Sequence, residues 1–64
     1  MNLDMVAERV RAEFEEMPGM TLTVRQASRL FGLDPDLCLN VVERLIGSAY
    51  LRWTRTGLVA RSDQ

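Results

Sequence analysis

The apolar positions of residues 3–17 recur with the period of an α-helix. At about 100° per residue they fall on one stripe about 100° wide, which is typical of a helix packed on a core. Asn2 is a suitable N-cap, Asp4 suits the positive end of the helix dipole, and Pro18-Gly19 ends the pattern. We therefore predict a first helix over about residues 3–17. Its apolar stripe consists of Leu3, Val6, Ala7, Val10, Phe14 and Met17.

A second helix is predicted over about residues 24–31. Thr23 and Gln26 have the Thr-x-x-Gln spacing of a capping box, which satisfies backbone N–H groups at a helix start. Gly32 is suited to the left-handed position that ends a helix. The apolar residues just before the helix, 20–22, predict a short extended segment and a candidate third strand.

A third helix is predicted over about residues 35–48. Asp34 as the N-cap, followed by Pro35 at the first helical position, is a typical helix start. One side of this helix is polar, with Asp36, Asn40 and Glu43, and the other side is apolar. The predicted apolar side consists of Cys38, Val41, Val42, Leu45, Ile46 and Ala49.

From residue 50 the period changes from helical to alternating. Two short strands around the turn Arg55–Gly57 predict a β-hairpin over about residues 50–61. Trp53 has the same strand parity as Leu51, so we expect it to pack at the edge of the core. The alternatives for Trp53 are contact with a second copy or a partner protein, and stacking on an unpaired base. Tyr50 is expected to be half-buried at the helix–strand junction.

The composition fits one small globular domain over residues 1–64. Sixty-four residues leave no room for a second lobe, and 47% apolar with 27% charged residues is typical of a folded chain rather than a disordered one. The predicted fold class is therefore α+β and mainly α, with three helices, a C-terminal hairpin and a short third strand.

Few residues are available for chemistry. The chain has no histidine, so the usual acid/base group and the commonest metal ligand are absent, and one cysteine cannot form an internal disulfide. Cys38 lies on the apolar side of the third helix, where a thiol is usually inert; a redox sensor is the alternative. We expect no enzymatic activity, no metal, no cofactor and no small-molecule ligand.

The sequence also bears on location. No apolar run approaches the roughly 18 residues of a membrane span, and the N-terminus lacks the apolar block of a signal peptide. A single free cysteine suits a reducing compartment. We expect no membrane association and a cytoplasmic location.

The segment LTVRQASRLFGL, residues 22–33, resembles the first helix and turn of bacterial winged helix-turn-helix transcription regulators. VVERLI, residues 41–46, is similar to the second helix of their motif, and YLRWTRTG, residues 50–57, to the first strand and turn of their wing. The resemblance covers about residues 20–61. It implies a winged helix-turn-helix fold that binds duplex DNA, with the second motif helix in the major groove and the wing on an adjacent backbone or minor groove. Such regulators often have Gly one or two residues before the aromatic that opens the wing, whereas here Ala49 precedes Tyr50.

The charges are unevenly distributed along a chain whose net charge is −1. Residues 1–20 hold two Arg and five acids, a net of −3, and residues 21–64 hold six Arg and four acids, a net of +2. A basic patch on a nearly neutral protein is the electrostatic footprint of a specific DNA binder.

Under this interpretation the polar residues form two groups. Arginines and hydroxyls suit phosphates, whereas Asn, Arg and Glu can bind the edges of adenine, guanine and cytosine. The predicted base contacts are Asn40, Arg44 and Glu43. The predicted backbone contacts are Thr23, Arg25, Arg29, Arg52, Arg55 and Arg61.

Each of these roles has a simpler alternative. The helix arginines can form a solvated face or pair with acids of the first helix, and the hairpin arginines can protect a strand edge from aggregation. Glu43 can pair within its own helix, and together with Asp36 it repels phosphate. These acids and the acidic N-terminal third favour a second hypothesis, a protein-interaction module on the same scaffold that uses Trp53, Tyr50 and Met5.

Met5 falls opposite the core stripe of the first helix, close to Ala12. We expect a homodimer through this helix, because a domain of this size is marginally stable alone and two copies would read a palindromic site. The alternative is that both are isolated apolar residues on the surface, which are common.

Overall fold

Three helices precede a two-stranded antiparallel sheet in the computed structural model, which describes residues 2–62. The elements are α1 (Leu3–Glu16), α2 (Val24–Phe31), α3 (Pro35–Gly47), β1 (Leu51–Trp53) and β2 (Val59–Arg61). The predicted order and the α+β class are confirmed. None of the helices between residues 2 and 62 has both the length and the apolarity needed to cross a membrane.

Each helix begins at a side chain that accepts backbone hydrogen bonds. Asn2 Oδ1 accepts from the N–H of the first turn of α1 at 2.8 Å. At the start of α2 the Gln26 N–H donates to Thr23 Oγ1 at 3.0 Å and the Thr23 N–H donates to Gln26 Oε1 at 2.9 Å, which confirms the capping box. Asp34 Oδ2 accepts from two N–H groups of α3 at 3.1 and 3.3 Å. These caps fix where the helices begin, since each would otherwise leave unpaired N–H groups in its first turn.

The core lies where the three helices and the sheet meet. The rings of Phe14 and Phe31 pack with centroids 6.4 Å apart, which joins α1 to α2. Every element contributes at least one buried apolar side chain, so packing against the other elements stabilises each of them. The buried apolar residues are Val6, Ala7, Val10, Phe14, Ala27, Phe31, Leu33, Cys38, Val41, Val42, Leu45, Leu51, Val59 and Ala60.

The sheet is extended on one side by an isolated bridge. Trp53 pairs with Val59 in the hairpin, and Leu22 pairs with Val59 from the opposite edge through hydrogen bonds of 3.0 and 2.6 Å. The predicted third strand at residues 20–22 is thus reduced to the single pair at Leu22. In the hairpin turn the Thr54 N–H donates to the Leu58 carbonyl at 2.7 Å, and Gly57 adopts φ +83° as its place in the turn requires.

Three burial predictions are wrong. Met17 is 58% exposed, because α1 ends at Glu16 and the backbone of Met17 leaves helical geometry. Ala49 is exposed and does not belong to the apolar side of α3, because the helix ends at Gly47 and Ala49 has a left-handed φ of +66°. Trp53 is 42% exposed, because it lies at the turn end of β1, beyond the buried Leu51.

Candidate nucleic-acid interface

The turn between α2 and α3 is held by hydrogen bonds on both sides of Gly32. Gly32 has φ +65°, and the Leu33 N–H then donates to the Ser28 carbonyl at 2.9 Å. The buried Ser28 hydroxyl donates in return to the Leu33 carbonyl at 2.6 Å. The left-handed glycine and this reciprocal pair fix the angle at which α3 leaves α2. They also place the first turn of α3 beside the polar face of α2.

Two arginines one helical turn apart occupy that polar face. Arg25 and Arg29 are exposed and, with Val24, Ser28 and Pro35, line a groove of about 620 Å³ at the junction of α2 and α3. Neither arginine forms an ion pair with any residue between 2 and 62. The suggested pairing of these arginines with acids of α1 is therefore absent from the described part of the chain. Two uncompensated guanidinium groups on a groove are suited to bind phosphate oxygens.

Thr23 lies just before these arginines, and its side chain caps the start of α2. Its Oγ1 accepts from the Gln26 N–H, so only its own proton is free to be donated. A hydroxyl in this state can still donate to a phosphate oxygen. The predicted backbone contact of Thr23 thus stays a prediction.

The exposed face of α3 is polar but not basic. At 3.6 residues per turn its centre carries Asp36, Asn40, Glu43 and Gly47, all of which are exposed. The Asn40 side chain has no hydrogen-bond partner within residues 2–62, which leaves its amide available for a base edge. Glu43 likewise forms no ion pair within that range, so its suggested pairing inside the helix is absent there.

Arg44 lies on the edge of that face nearest α1. Its guanidinium forms an ion pair with the carboxylate of Asp4 in the first turn of α1, and half of its side chain stays exposed. The pair joins residues forty positions apart in the sequence, and no periodicity pointed to it. To contact a base, Arg44 must exchange this carboxylate for the base edge.

The hairpin arginines diverge in their surroundings. Arg55 is exposed in the turn and pairs with no residue of the described range, whereas Arg52 on β1 is half-buried. Arg61 on β2 is also half-buried, with a side chain 18% exposed that lies 3.7 Å from a Glu15 carboxylate oxygen of α1. The structure therefore groups Arg61 with α1 rather than with the other predicted backbone contacts.

Tyr50 is at the centre of the contacts between α1 and the hairpin. Its hydroxyl donates to Glu15 Oε2, and it lies 3.3 Å from the Arg11 carbonyl oxygen. The guanidinium carbon of Arg11 lies 4.6 Å from the ring centroid and that of Arg61 lies 5.8 Å from it, both within range of a cation–π interaction. Partial burial and the hydrogen bond to Glu15 raise the pKa of the Tyr50 hydroxyl above its ordinary value of 10.0. The expected half-buried position is confirmed, but the cluster around the ring was not foreseen from the sequence.

Cys38 is fully buried in the core. Its Sγ contacts the Val24 carbonyl at 3.8 Å, and burial raises the pKa of its thiol. A thiol with a raised pKa is a poor nucleophile, so the structure gives no support to a redox sensor at this position. Within residues 2–62, no three His, Cys, Asp or Glu side chains are placed to hold a metal ion.

Compared with known protein families, curated proteins and solved structures, the chain matches none. The functional interpretation therefore depends on the arrangement described above. Three features bear on the function: a groove with two unpaired arginines, a polar face on α3, and an arginine in the turn of the hairpin.

Proposed function

We propose that this chain is a winged helix-turn-helix protein that binds duplex DNA in a sequence-specific way and acts as a bacterial transcription regulator in the cytoplasm. α3 enters the major groove, and the hairpin contacts an adjacent backbone or the minor groove. The observation that carries the proposal is the pair Arg25 and Arg29. These cations lie unpaired beside the first turn of α3, where a helix in a groove would meet the flanking phosphates.

Backbone and base contacts are separated in this arrangement. The α2 arginines and Arg55 supply attraction that is independent of sequence, because phosphates are the same at every position. Asn40, at the centre of the exposed face of α3, reads adenine, and Arg44 at its edge reads guanine after leaving Asp4.

The two carboxylates on α3 narrow the set of sites that the protein accepts. Glu43 can accept a hydrogen bond from the cytosine amino group, and against other bases it remains unpaired near phosphates. Asp36 is already near the start of α3, where a carboxylate also stabilises the helix. We infer that affinity for random duplex is low, because the Glu43 carboxylate is repelled by phosphates. Specific sites are favoured because a cytosine amino group offsets that repulsion.

The experiment that tests the proposal is an amide NMR titration with a random-sequence duplex at low and then higher salt. We expect shifts in residues 23–29, 36–47 and 52–57, and these shifts should shrink as salt rises because phosphate contacts release counterions. Arg9→Gln is the matched control, since it removes one unpaired surface arginine from α1 and should leave the titration unchanged. An absence of shifts at millimolar duplex would show that the proposal is wrong.

A second candidate function, a protein-interaction module, is favoured by exposed apolar residues. Leu39 on α3 and Trp53 on β1 are 37% and 42% exposed, and Asp36 and Glu43 give the exposed face of α3 a negative charge. Arg44→Glu separates the two candidates. DNA binding should be abolished if the DNA proposal is right and should barely change if the surface serves a protein, provided that a melting curve shows the variant is folded.

A further inference from the structure

A leucine is exposed on α3, the helix that the proposed function places in the major groove. Leu39 is 37% exposed and lies next to Asn40 and one helical turn before Glu43. A ligand that covers this face gains if it offers Leu39 an apolar surface, and loses if it leaves its own polar atoms unpaired there. Among the large apolar residues exposed between residues 2 and 62, Leu39 is the one that belongs to α3; the others are Met5, Met17, Leu30 and Trp53.

Leu39 lies on the flank of α3 that is next to the arginine groove. Pro35, one helical turn before Leu39, lines that groove together with Arg25 and Arg29. Arg44 lies about 140° around the helix from Leu39, on the flank that contacts α1. When the two unpaired arginines bind phosphates, the flank of Leu39 is therefore the one that follows the same DNA strand into the groove.

We propose that Leu39 contacts the C5 methyl group of a thymine, so that the protein selects DNA with a thymine at one fixed position of its site. This inference rests on the proposed function. In the major groove thymine presents a methyl group, whereas adenine, guanine and cytosine present hydrogen-bond donors and acceptors and no methyl group. Leucine against those bases would displace water from polar atoms without replacing the hydrogen bonds. Thymine is the base that offers Leu39 an apolar partner.

The neighbours of Leu39 on α3 suit the same kind of site. Asn40 is exposed, and its amide can form two hydrogen bonds with adenine, the base that pairs with thymine. Glu43 is exposed one turn after Leu39 and can accept a hydrogen bond from the amino group of cytosine, the other pyrimidine. Leu39 and Glu43 thus both favour pyrimidines, and Asn40 favours the partner of the pyrimidine that Leu39 selects.

The first part of the experiment changes the DNA and leaves the protein as it is. The wild-type chain is used to enrich duplexes from a random-sequence pool. Each thymine of an enriched duplex is then replaced in turn by deoxyuridine, which lacks the methyl group and keeps the base pair. We expect one replacement to weaken binding by roughly three- to fivefold in fluorescence anisotropy, the effect of losing one buried methyl group.

The second part uses two variants that each shorten one exposed leucine. Leu39→Ala should bind the thymine duplex and the deoxyuridine duplex nearly equally. Leu30→Ala is the matched control, because Leu30 is 54% exposed and lies about 100–140° around α2 from Arg25 and Arg29. This control should keep the full difference between the two duplexes. Melting curves check that both variants are folded, and the comparison made with the wild type needs neither of them.

The outcomes distinguish this inference from the proposed function. If duplexes are enriched but no deoxyuridine replacement weakens binding, the protein binds DNA without reading a methyl group, and the role of Leu39 is wrong while the proposed function stands. The same holds if Leu39→Ala keeps the full difference, or if Leu30→Ala loses it as well, because the effect then does not belong to Leu39. If the wild type binds no duplex, both proposals are wrong, and the exposed leucine favours the protein-interaction candidate.

Discussion

The arginines on two sides of this small protein differ in whether they have a charged or aromatic partner. On the α1 side, where α1 meets the hairpin and the edge of α3, Arg11, Arg44 and Arg61 each lie against a carboxylate or the Tyr50 ring. Away from that contact, Arg25 and Arg29 on α2 and Arg55 in the hairpin turn, together called the α2 side below, have no ionic partner within residues 2–62.

This difference separates charges that hold the fold from charges that are open to a ligand. An arginine beside a carboxylate has its field cancelled nearby and adds little attraction for a distant phosphate. The unpaired arginines of the α2 side keep theirs, although the chain as a whole carries a net charge of −1. The net charge therefore does not indicate whether this protein can attract phosphate. The distribution of ion pairs does, because it shows which arginines are not neutralised.

The largest expected effect is the loss of DNA affinity in Arg25→Gln/Arg29→Gln. Removing both cations should weaken binding to a duplex at low salt by roughly 10- to 100-fold and reduce the slope of log K against log salt by about 2. Fluorescence anisotropy over a salt series measures both quantities. Arg11→Gln/Arg61→Gln, which removes two charges from the α1 side, is the matched comparison. An equal loss in that variant would end the distinction between the two sides.

Tyr50→Phe should cost about 0.5–1.5 kcal/mol of the free energy of unfolding, because it removes the hydroxyl that donates to Glu15. In a domain of this size that lowers the melting temperature by several degrees.

The same variant tests the pH dependence of stability. The pKa of Tyr50 is higher in the folded chain than its ordinary 10.0, so the folded state keeps this proton longer. The contribution of the hydroxyl is therefore fully present below pH 10 and is lost as pH rises through the folded pKa. Denaturant unfolding in this alkaline range should show a steeper fall in the wild type than in Tyr50→Phe, and equal slopes would refute the role of the hydroxyl.

Asp4→Asn should leave Arg44 without its ionic partner, as the arginines of the α2 side already are. The exposed ion pair contributes at most about 1 kcal/mol, so stability should change little. Affinity for duplex DNA should rise by roughly two- to fivefold, because Arg44 no longer exchanges a carboxylate for the ligand. Glu16→Gln removes the same charge from α1 without touching Arg44. If both variants raise the affinity for DNA equally, the effect comes from net charge, and the Asp4–Arg44 ion pair does not limit DNA binding.

The smallest expected effect concerns the junction between α3 and the hairpin. Ala49 has φ +66°, a conformation that costs a residue with a Cβ roughly 1–2 kcal/mol, while glycine loses about 0.5–1 kcal/mol of entropy on folding. Ala49→Gly should therefore stabilise the chain by about 0.5 kcal/mol. Gly57→Ala, at φ +83°, should destabilise it by about 1 kcal/mol. Chemical denaturation of both variants checks the two signs, and a destabilised Ala49→Gly would contradict the argument.

The helices could be predicted from the sequence to within a residue or two because their ends are set locally. Thr23 with Gln26, Asp34 with Pro35, and Gly32 each act on neighbouring backbone groups, so the signal lies in adjacent letters. Met17 and Ala49 were placed in the core because the apolar period was continued past the true helix ends, where the backbone turns away and the period no longer holds.

Trp53 and the ion pairs show the limit of that reasoning. Strand parity states which side of a sheet a residue faces but not how far the core extends beneath it, and the core ends before Trp53. The pairs Asp4–Arg44 and Glu15–Arg61 join residues 40 and 46 positions apart, and no local pattern marks them. The candidate arginines of α2 were predicted, but which arginines are paired could be learned only from the tertiary arrangement.

The bridge between Leu22 and Val59 has a consequence for the order in which the chain can fold during synthesis. Val59 is paired on both edges and buried, so the segment ahead of α2 has no partner until nearly the whole chain has been made. A growing chain that ends before Val59 has three helices with an open core and an unpaired Leu22. We therefore expect this protein to acquire its structure in one late step after translation has passed the second strand, and not helix by helix on the ribosome.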